Sequence, residues 1–135
     1  MYDRPDLFQL LGAVRAYLQD DATPVDRQRQ AAINLLGMVE REIQMSADHL
    51  KAEWARLNYV QNVTTPLPAD FQEAHTALTE RNRKFCEEIS AGRYDIAPGR
   101  AALFEHLLMN AHAQLEVANP DFLQALAVEE AKRAR

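Results

Sequence analysis

The stretch from Gln30 to Gln44, QAAINLLGMVEREIQ, constrains the fold most, because its apolar residues cover most of the surface of one helix. Five of them have the i, i+3, i+4, i+7 and i+11 spacing of a buried helical stripe: Ala32, Leu35, Leu36, Val39 and Ile43. Three more widen that stripe: Ala31, Ile33 and Met38. A helix this apolar has to be covered by several neighbours, so the segment predicts the centre of a helical bundle.

Length and composition favour one helical domain. The chain has 135 residues, of which 47% are hydrophobic, and this is enough for a core without disulfides or metal. Only four glycines are present, whereas good helix formers such as Ala, Leu, Glu, Gln and Arg are abundant. We therefore expect an all-α fold, a single-domain helical bundle of five to six helices over residues 1–135.

Proline, glycine and capping residues divide the chain into six predicted segments. The predicted helices run from about Pro5 to Leu18, Pro24 to Met45, Ala47 to Val60, Ala69 to Ala91 and Pro98 to Ala118, with a short last helix after Asn119-Pro120. Thr23 is the predicted N-cap of the second helix, and Gly92 the left-handed C-terminal cap of the fourth. Ser46 marks either a break or only a kink. The stretch 61–69, with its two prolines, is the predicted loop.

The helical spacing also predicts which side chains face inward. In the fourth helix these are Phe71, Leu78, Phe85 and Ile89, and in the fifth they are Ala101, Phe104, Leu108, Ala111 and Leu115. Trp54 falls on the inward side of the third helix. These stripes are the expected core.

The net charge and the distribution of apolar residues indicate which classes of binding partner are unfavourable. A net charge of −5 argues against a broad nucleic-acid surface and against an anionic membrane surface. No apolar stretch approaches the length of a membrane span, and the N-terminus lacks the apolar region of a signal peptide. The single Cys86 rules out an internal disulfide and suits a reducing compartment. We expect a cytoplasmic protein that binds neither nucleic acid nor membrane.

No pattern for catalysis, a cofactor or a metal emerges from the residues. The glycines are never grouped as phosphate-binding loops require. The Glu-x-x-His motif of di-iron bundles is absent, since the positions three before the histidines are Ser46, Gln72, Leu103 and Met109. We therefore predict a non-enzyme without cofactor or metal. A weaker hypothesis is an enzyme that uses His106 with Glu105, although packing is the favoured role for that histidine.

Two small groups of residues are candidates for binding. Arg93 and Arg100 flank the start of the fifth predicted helix, where two guanidinium groups and free N–H groups can hold an anion. The alternative is a pair of solvated loop arginines. Asn34, Gly37 and Arg41 share one side of the central helix and are candidates for a partner interface. Alternatively, Arg41 pairs with acidic residues in another helix of its own fold.

Several segments, taken in order, resemble a family of short all-helical bacterial proteins of unknown catalytic role. The segments are Arg4-Pro5-Asp6 with Leu10-Leu11 and Val14 to Leu18; Asn34-Leu35 with Val39 and Arg41-Glu42; Ile89 to Gly92; and His106-Leu107 through Leu115 to Asn119-Pro120. The sequence departs from that family at Arg27, Gln28 and Gln30, where its members often have an aromatic residue, a histidine and an arginine. The 61–72 loop has no clear counterpart.

The resemblance implies a function through a partner. Members of the family are typically encoded beside an aminoglycoside-phosphotransferase-type kinase and acyl-CoA dehydrogenase-like enzymes. This implies a non-catalytic accessory subunit that supports such a kinase in acting on hydroxyacyl-CoA intermediates during acid catabolism. The alternative is a small-molecule binding module that holds an acyl-CoA or CoA ester without a kinase. The apolar central helix also allows a homodimer through an exposed helix face.

Overall fold

The described part of the chain forms five helices, numbered α1 to α5 in chain order. They run over Leu7–Leu18, Val25–Gln61, Phe71–Ser90, Gly99–Ala118 and Pro120–Arg133. The structure, a computed structural model, describes residues 7–20 and 24–134, apart from the side chain of residue 8. Within these ranges there is no strand, which confirms the predicted all-α helical domain of five to six helices. The predicted helix start at Pro5 and the cap at Thr23 lie outside the described residues.

The longest helix, α2, runs without interruption through Ser46. The predicted break at this position is therefore wrong, and the predicted second and third helices are one. A serine inside a helix costs only a few tenths of a kcal/mol relative to alanine, roughly as much as several other tolerated residues. Met45 and Ala47 on either side favour helix, so the backbone hydrogen-bond ladder continues past the serine.

The other helix boundaries follow the local signals in the sequence. Asp70 caps α3 by accepting a hydrogen bond from the Glu73 N–H at 2.9 Å. At the other end, Gly92 has a φ of 78°. The N–H groups of Gly92 and Arg93 donate to the carbonyls of Ile89 and Glu88 at 2.9 and 3.1 Å. This is the Schellman arrangement, and it confirms the predicted glycine cap.

By its internal contacts the chain divides into two units. Unit 1 contains residues 47–115, and unit 2 contains the described residues of 3–46 and 116–135. The core of unit 1 comes from α2, from α3 and from the connector after α3: Leu50, Trp54, Leu57, Ala74, Leu78, Phe85 and Tyr94. The buried apolar residues of unit 2 are Leu10, Val14, Ala32, Val39 and Val117.

The helix α4 presents a different face inward from the predicted one. Phe104 and Leu108 are 67% and 57% exposed. Ala101 and Ala111 are exposed as well, and Leu115 is only partly buried. Its buried positions are instead His106, Asn110 and Val117. The predicted core stripe of this helix is therefore wrong, and the reason lies in the polar partners that His106 and Asn110 find in unit 1.

Other predicted core positions are also exposed. In α2, Ala32 and Val39 are buried as predicted, whereas Leu36 and Ile43 are exposed. In α3, Leu78 and Phe85 are buried, whereas Phe71 at the first position is exposed. Phe71 lies beside the loop at the N-terminal end of its helix, where fewer residues are available to cover it.

Candidate functional site

A cluster of polar side chains lies inside unit 1, at the junction of α2, α3 and α4. At its centre is Glu53 of α2, which is 5% exposed. Its Oε1 accepts from the amide nitrogen of Asn82 at 2.8 Å and from that of Asn110 at 3.4 Å. An isolated buried carboxylate is costly, and two amide donors offset part of that cost. Glu53 therefore links α2 to both α3 and α4.

Arg56, one turn after Glu53, fixes the orientation of the Asn110 amide. Its Nη2 donates to Asn110 Oδ1 at 2.6 Å. Because a guanidinium group only donates and a carboxylate only accepts, Oδ1 has to face Arg56 and Nδ2 has to face Glu53. Burial lowers the pKa of Arg56, and the nearby charge of Glu53 opposes this change.

The same amide defines the protonation state of His106. Asn110 Nδ2 lies 3.1 Å from His106 Nε2. Since Nδ2 is a donor, Nε2 accepts and the proton of the neutral ring is on Nδ1. The ring is 2% exposed and packs edge-on against Phe85, with ring centroids 5.4 Å apart. Burial, with the positive charge of Arg56, lowers the pKa of His106 to about 4, so the imidazole is neutral at neutral pH.

A cavity of about 390 Å³ lies next to this cluster, within unit 1. Its wall consists of small apolar residues, one tyrosine and three polar residues: Ala55, Arg56, Tyr59, Val60, Ala102, Glu105 and His106. Two of these residues hold a buried nitrogen without a hydrogen-bond partner, namely Arg56 Nε and His106 Nδ1. The cavity therefore combines an apolar body with a side that is rich in donors.

Sequence reasoning missed most of this cluster, although a signal for it exists. Glu53 occupies a helical position between Leu50, Trp54 and Leu57, and Asn82 lies between Leu78 and Phe85 in the same way. Polar residues at such core positions indicate a buried network, since unpaired polar groups are rarely buried. A search for polar residues inside each apolar stripe would have found both.

A comparison with protein-family models assigns the chain to a family. Residues 25–122 match the model described as a domain of unknown function, DUF6285. The chain belongs to the DUF6285 family. The match begins at the first residue of α2 and ends near the start of α5, so it contains every residue of the polar cluster and of the cavity wall. No curated protein and no solved structure matches the chain.

Membership in this family agrees with the predicted resemblance to helical proteins of unknown role. Among the described residues of this DUF6285 domain, none of the helices combines the length and the apolar character needed to cross a bilayer. Nor do the described residues bring together three or more His, Cys, Asp or Glu side chains that could hold a metal ion.

The predicted anion-binding arginines have different surroundings in the DUF6285 domain. Arg93 Nη1 lies 2.7 Å from Glu88 Oε1 and is therefore balanced by a carboxylate. The Tyr94 hydroxyl donates to the other oxygen of Glu88 at 2.6 Å. Burial and this hydrogen bond raise the pKa of Tyr94 to about 12. Arg100 is exposed in the first turn of α4. Binding of an anion by Arg93 and Arg100 stays a prediction.

The predicted partner-interface residues lie in unit 2. Arg41 Nε donates to the Val117 carbonyl at 2.7 Å, which links α2 to the last turn of α4. Gly37 leaves room for that arginine, because a Cβ there would lie 3.2 Å from Arg41 Nη1. Asn34 is exposed, and its Oδ1 accepts from Gln30 Nε2 at 3.1 Å. Arg41 therefore bonds within its own fold, but to a backbone carbonyl and not to the acidic residues of the predicted alternative. A role of these residues in partner binding stays a prediction.

The geometry around His106 favours positioning over catalysis. Its Nε2 is occupied by Asn110, and Glu105 is exposed at the cavity wall. A histidine with a pKa of about 4 is a weak general base at neutral pH. The arrangement therefore orients α4 and shapes the cavity.

Proposed function

We propose that this DUF6285 protein is a non-catalytic accessory subunit that binds an aminoglycoside-phosphotransferase-type kinase. In this proposal the kinase acts on hydroxyacyl-CoA intermediates of acid catabolism, as the resemblance of the sequence implies. The observation that carries the docking part is the exposed stripe of α4, which we define as Phe104, Leu107, Leu108 and Ala111.

The exposed stripe has the spacing of a helix that binds in a groove. Phe104, Leu108 and Ala111 are at i, i+4 and i+7, with Leu107 at i+3, which is the anchor pattern of helix-in-groove recognition. These positions have the composition of a buried stripe, and within the described part of unit 1 the large ones remain exposed. A contiguous apolar patch on a folded surface is typical of a protein interaction site.

This stripe supplies part of the free energy of a complex, and the rest has to come from further contacts. Burying a leucine or phenylalanine side chain contributes about 1.5–3 kcal/mol, and proportionally less where part of it is already covered. Phe104 and Leu108, each more than half exposed, together contribute about 2–4 kcal/mol on docking. This corresponds to roughly 30-fold to 1000-fold in affinity.

Light scattering on a sizing column tests the proposal directly. The protein is analysed alone, with the kinase encoded beside its gene, and as the double variant Phe104→Gln, Leu108→Gln. We expect co-elution at a fixed ratio for the natural sequence and at least about 30-fold weaker binding for the variant. Val128→Gln is the matched control, because Val128 is apolar and 54% exposed at a different place, on α5.

Three outcomes would contradict parts of this proposal. Separate elution of the two natural proteins removes the kinase as partner. Equal weakening by the double variant and by Val128→Gln removes the exposed stripe as the contact. A self-association that the double variant abolishes assigns the stripe to a homodimer instead. Gln is a good helix former, so a loss of binding with an unchanged melting temperature reflects the surface and not the fold.

The cavity favours a second candidate function, a module that binds an acyl or CoA ester without a kinase. Its volume of about 390 Å³ is within the range of small-molecule pockets, about 300–1,000 Å³. Thermal stabilisation of the isolated protein by CoA esters supports this function. Stabilisation only in the presence of the kinase argues against it.

A further inference from the structure

Two residues on the wall of the cavity beside the polar cluster have hydrogen-bond donors that are not paired. Arg56 and His106 both line it, and each has a buried N–H without a partner. Two acceptor atoms of the cluster are already engaged, since Asn110 Oδ1 accepts from Arg56 Nη2 and Glu53 Oε1 accepts from the amides of Asn82 and Asn110. A buried donor without a partner is unfavourable, so this wall gains from a ligand that supplies oxygen.

The charge on this wall favours an anionic oxygen. The guanidinium of Arg56 is partly buried, and burial lowers its pKa, which means that its positive charge is poorly solvated. Carboxylates form strong, paired hydrogen bonds with guanidinium groups. The nearby charge of Glu53 offsets part of the positive charge of Arg56. However, the Oε1 atom of Glu53 accepts hydrogen bonds from Asn82 and Asn110.

The rest of the cavity favours a short aliphatic chain. Ala55, Val60 and Ala102 supply small apolar surfaces, and Tyr59 adds an aromatic ring. The volume is near the lower end of the range for small-molecule pockets, which suits a compact ligand. Glu105 is exposed on the wall and repels a second negative charge, so a monocarboxylate fits better than a dicarboxylate.

We propose that this cavity binds a short aliphatic monocarboxylic acid, with its carboxylate on Arg56 and its chain against Ala55, Val60 and Ala102. This site is separate from the exposed stripe of α4, and it is independent of the kinase. In this proposal the accessory subunit binds a small-molecule ligand in addition to its protein partner.

The test is a titration of the isolated protein with sodium hexanoate, followed by the amide shifts in two-dimensional NMR. We expect saturable shifts at residues of the cavity wall, such as Ala55 and Ala102. Hexanamide has the same chain without the charge, and hexylamine carries the opposite charge. Both are expected to bind at least about 10-fold more weakly, because neither forms an ion pair with a guanidinium through two parallel hydrogen bonds. Equal binding of hexanamide, shifts confined to other surfaces, or no saturation would overturn the proposal.

Three variants locate the carboxylate. Arg56→Gln is expected to weaken hexanoate binding at least about 10-fold, whereas Arg83→Gln, an exposed arginine of α3 paired with Glu80, is the charge-matched control and leaves it unchanged. Glu105→Gln removes a repelling charge and is expected to tighten binding by roughly twofold or more. If Arg56→Gln does not fold, the Glu105→Gln result decides: unchanged or weaker binding contradicts the proposed position of the carboxylate.

Discussion

Acidification is expected to destabilise the protein through His106, and the sign follows from its lowered pKa. The folded ring has a pKa of about 4, against an ordinary value of 6.5 for a histidine in an unfolded chain. Between these values the unfolded chain binds a proton that the folded protein does not. Stability contributed by the neutral ring is therefore present above pH 6.5, is lost as the pH falls towards 4, and changes little further below that.

The size of this loss can be bounded from the structure. The interval from 6.5 to about 4, at about 1.4 kcal/mol per pH unit, gives at most about 3.5 kcal/mol. The ring lines a cavity, and solvent in it screens part of the charge, so we expect about 1–2 kcal/mol. The hydrogen bond that Asn110 donates to His106 also lowers the stability of the protonated ring. A proton on Nε2 would face the Asn110 amide hydrogens, since the two nitrogens are 3.1 Å apart.

Urea unfolding near pH 7 and near pH 4.5 measures this contribution when natural protein and His106→Gln are compared. Glutamine keeps an acceptor within reach of Asn110 but does not titrate. Other carboxylates and histidines are common to both proteins, so their contribution cancels in the difference. We expect the free energy of unfolding of the natural protein to fall about 1–2 kcal/mol further than that of the variant.

The control for the substitution itself is His112→Gln, at an exposed position on the same helix. It is expected to retain the steeper acid loss of the natural protein. If His106→Gln loses as much free energy as the natural protein over the same interval, His106 does not titrate with a depressed pKa.

Three further substitutions test the helix ends and spacing by urea unfolding. Gly12→Ala should stabilise α1 by about 0.5–1 kcal/mol, because nothing lies within 4 Å of the added Cβ; a loss would indicate a missed contact. Gly92→Ala should destabilise by about 1–2 kcal/mol, since φ is positive and the Cβ would lie 2.8 Å from Asp95 Oδ2; a neutral result contradicts the cap. Asn119→Ala should cost about 1 kcal/mol, because its side chain accepts from the Phe122 N–H; no loss argues against this N-cap.

The helices were predictable wherever the signal is local. Asn119 with Pro120 marks the start of α5, and the prolines at 66 and 68 keep the 62–70 loop out of a helix. Gly92 ends α3 because few other residues adopt its backbone conformation readily. Each of these signals acts through the backbone of its own neighbourhood, so no knowledge of the tertiary fold is needed.

The rotation of α4 was not predictable from apolar spacing, because it depends on partners that are distant in sequence. Spacing alone favours burial of Phe104 and Leu108. In unit 1 the helix instead buries Asn110, whose partners Glu53 and Arg56 lie on α2. It also buries His106, which contacts Asn110 and packs against Phe85 of α3. The same limit applies to the candidate site, since its cavity exists only once α2 and α4 are brought together.

The polar cluster explains why unit 1 leaves the exposed stripe of α4 available. Glu53 is buried with its charge, and one of its two amide donors comes from Asn110. Rotating α4 to bury Phe104 and Leu108 would move Asn110 away, so that Glu53 would lose one of its amide donors and Arg56 would lose the Asn110 acceptor. A buried group that loses its hydrogen-bond partner costs about 1–3 kcal/mol, and more when it is charged. The loss at both groups is therefore comparable with the gain of about 2–4 kcal/mol from burying the two apolar side chains. The cluster thus opposes the rotation that would hide the stripe, and a partner that covers Phe104 and Leu108 obtains the apolar gain without disturbing Glu53.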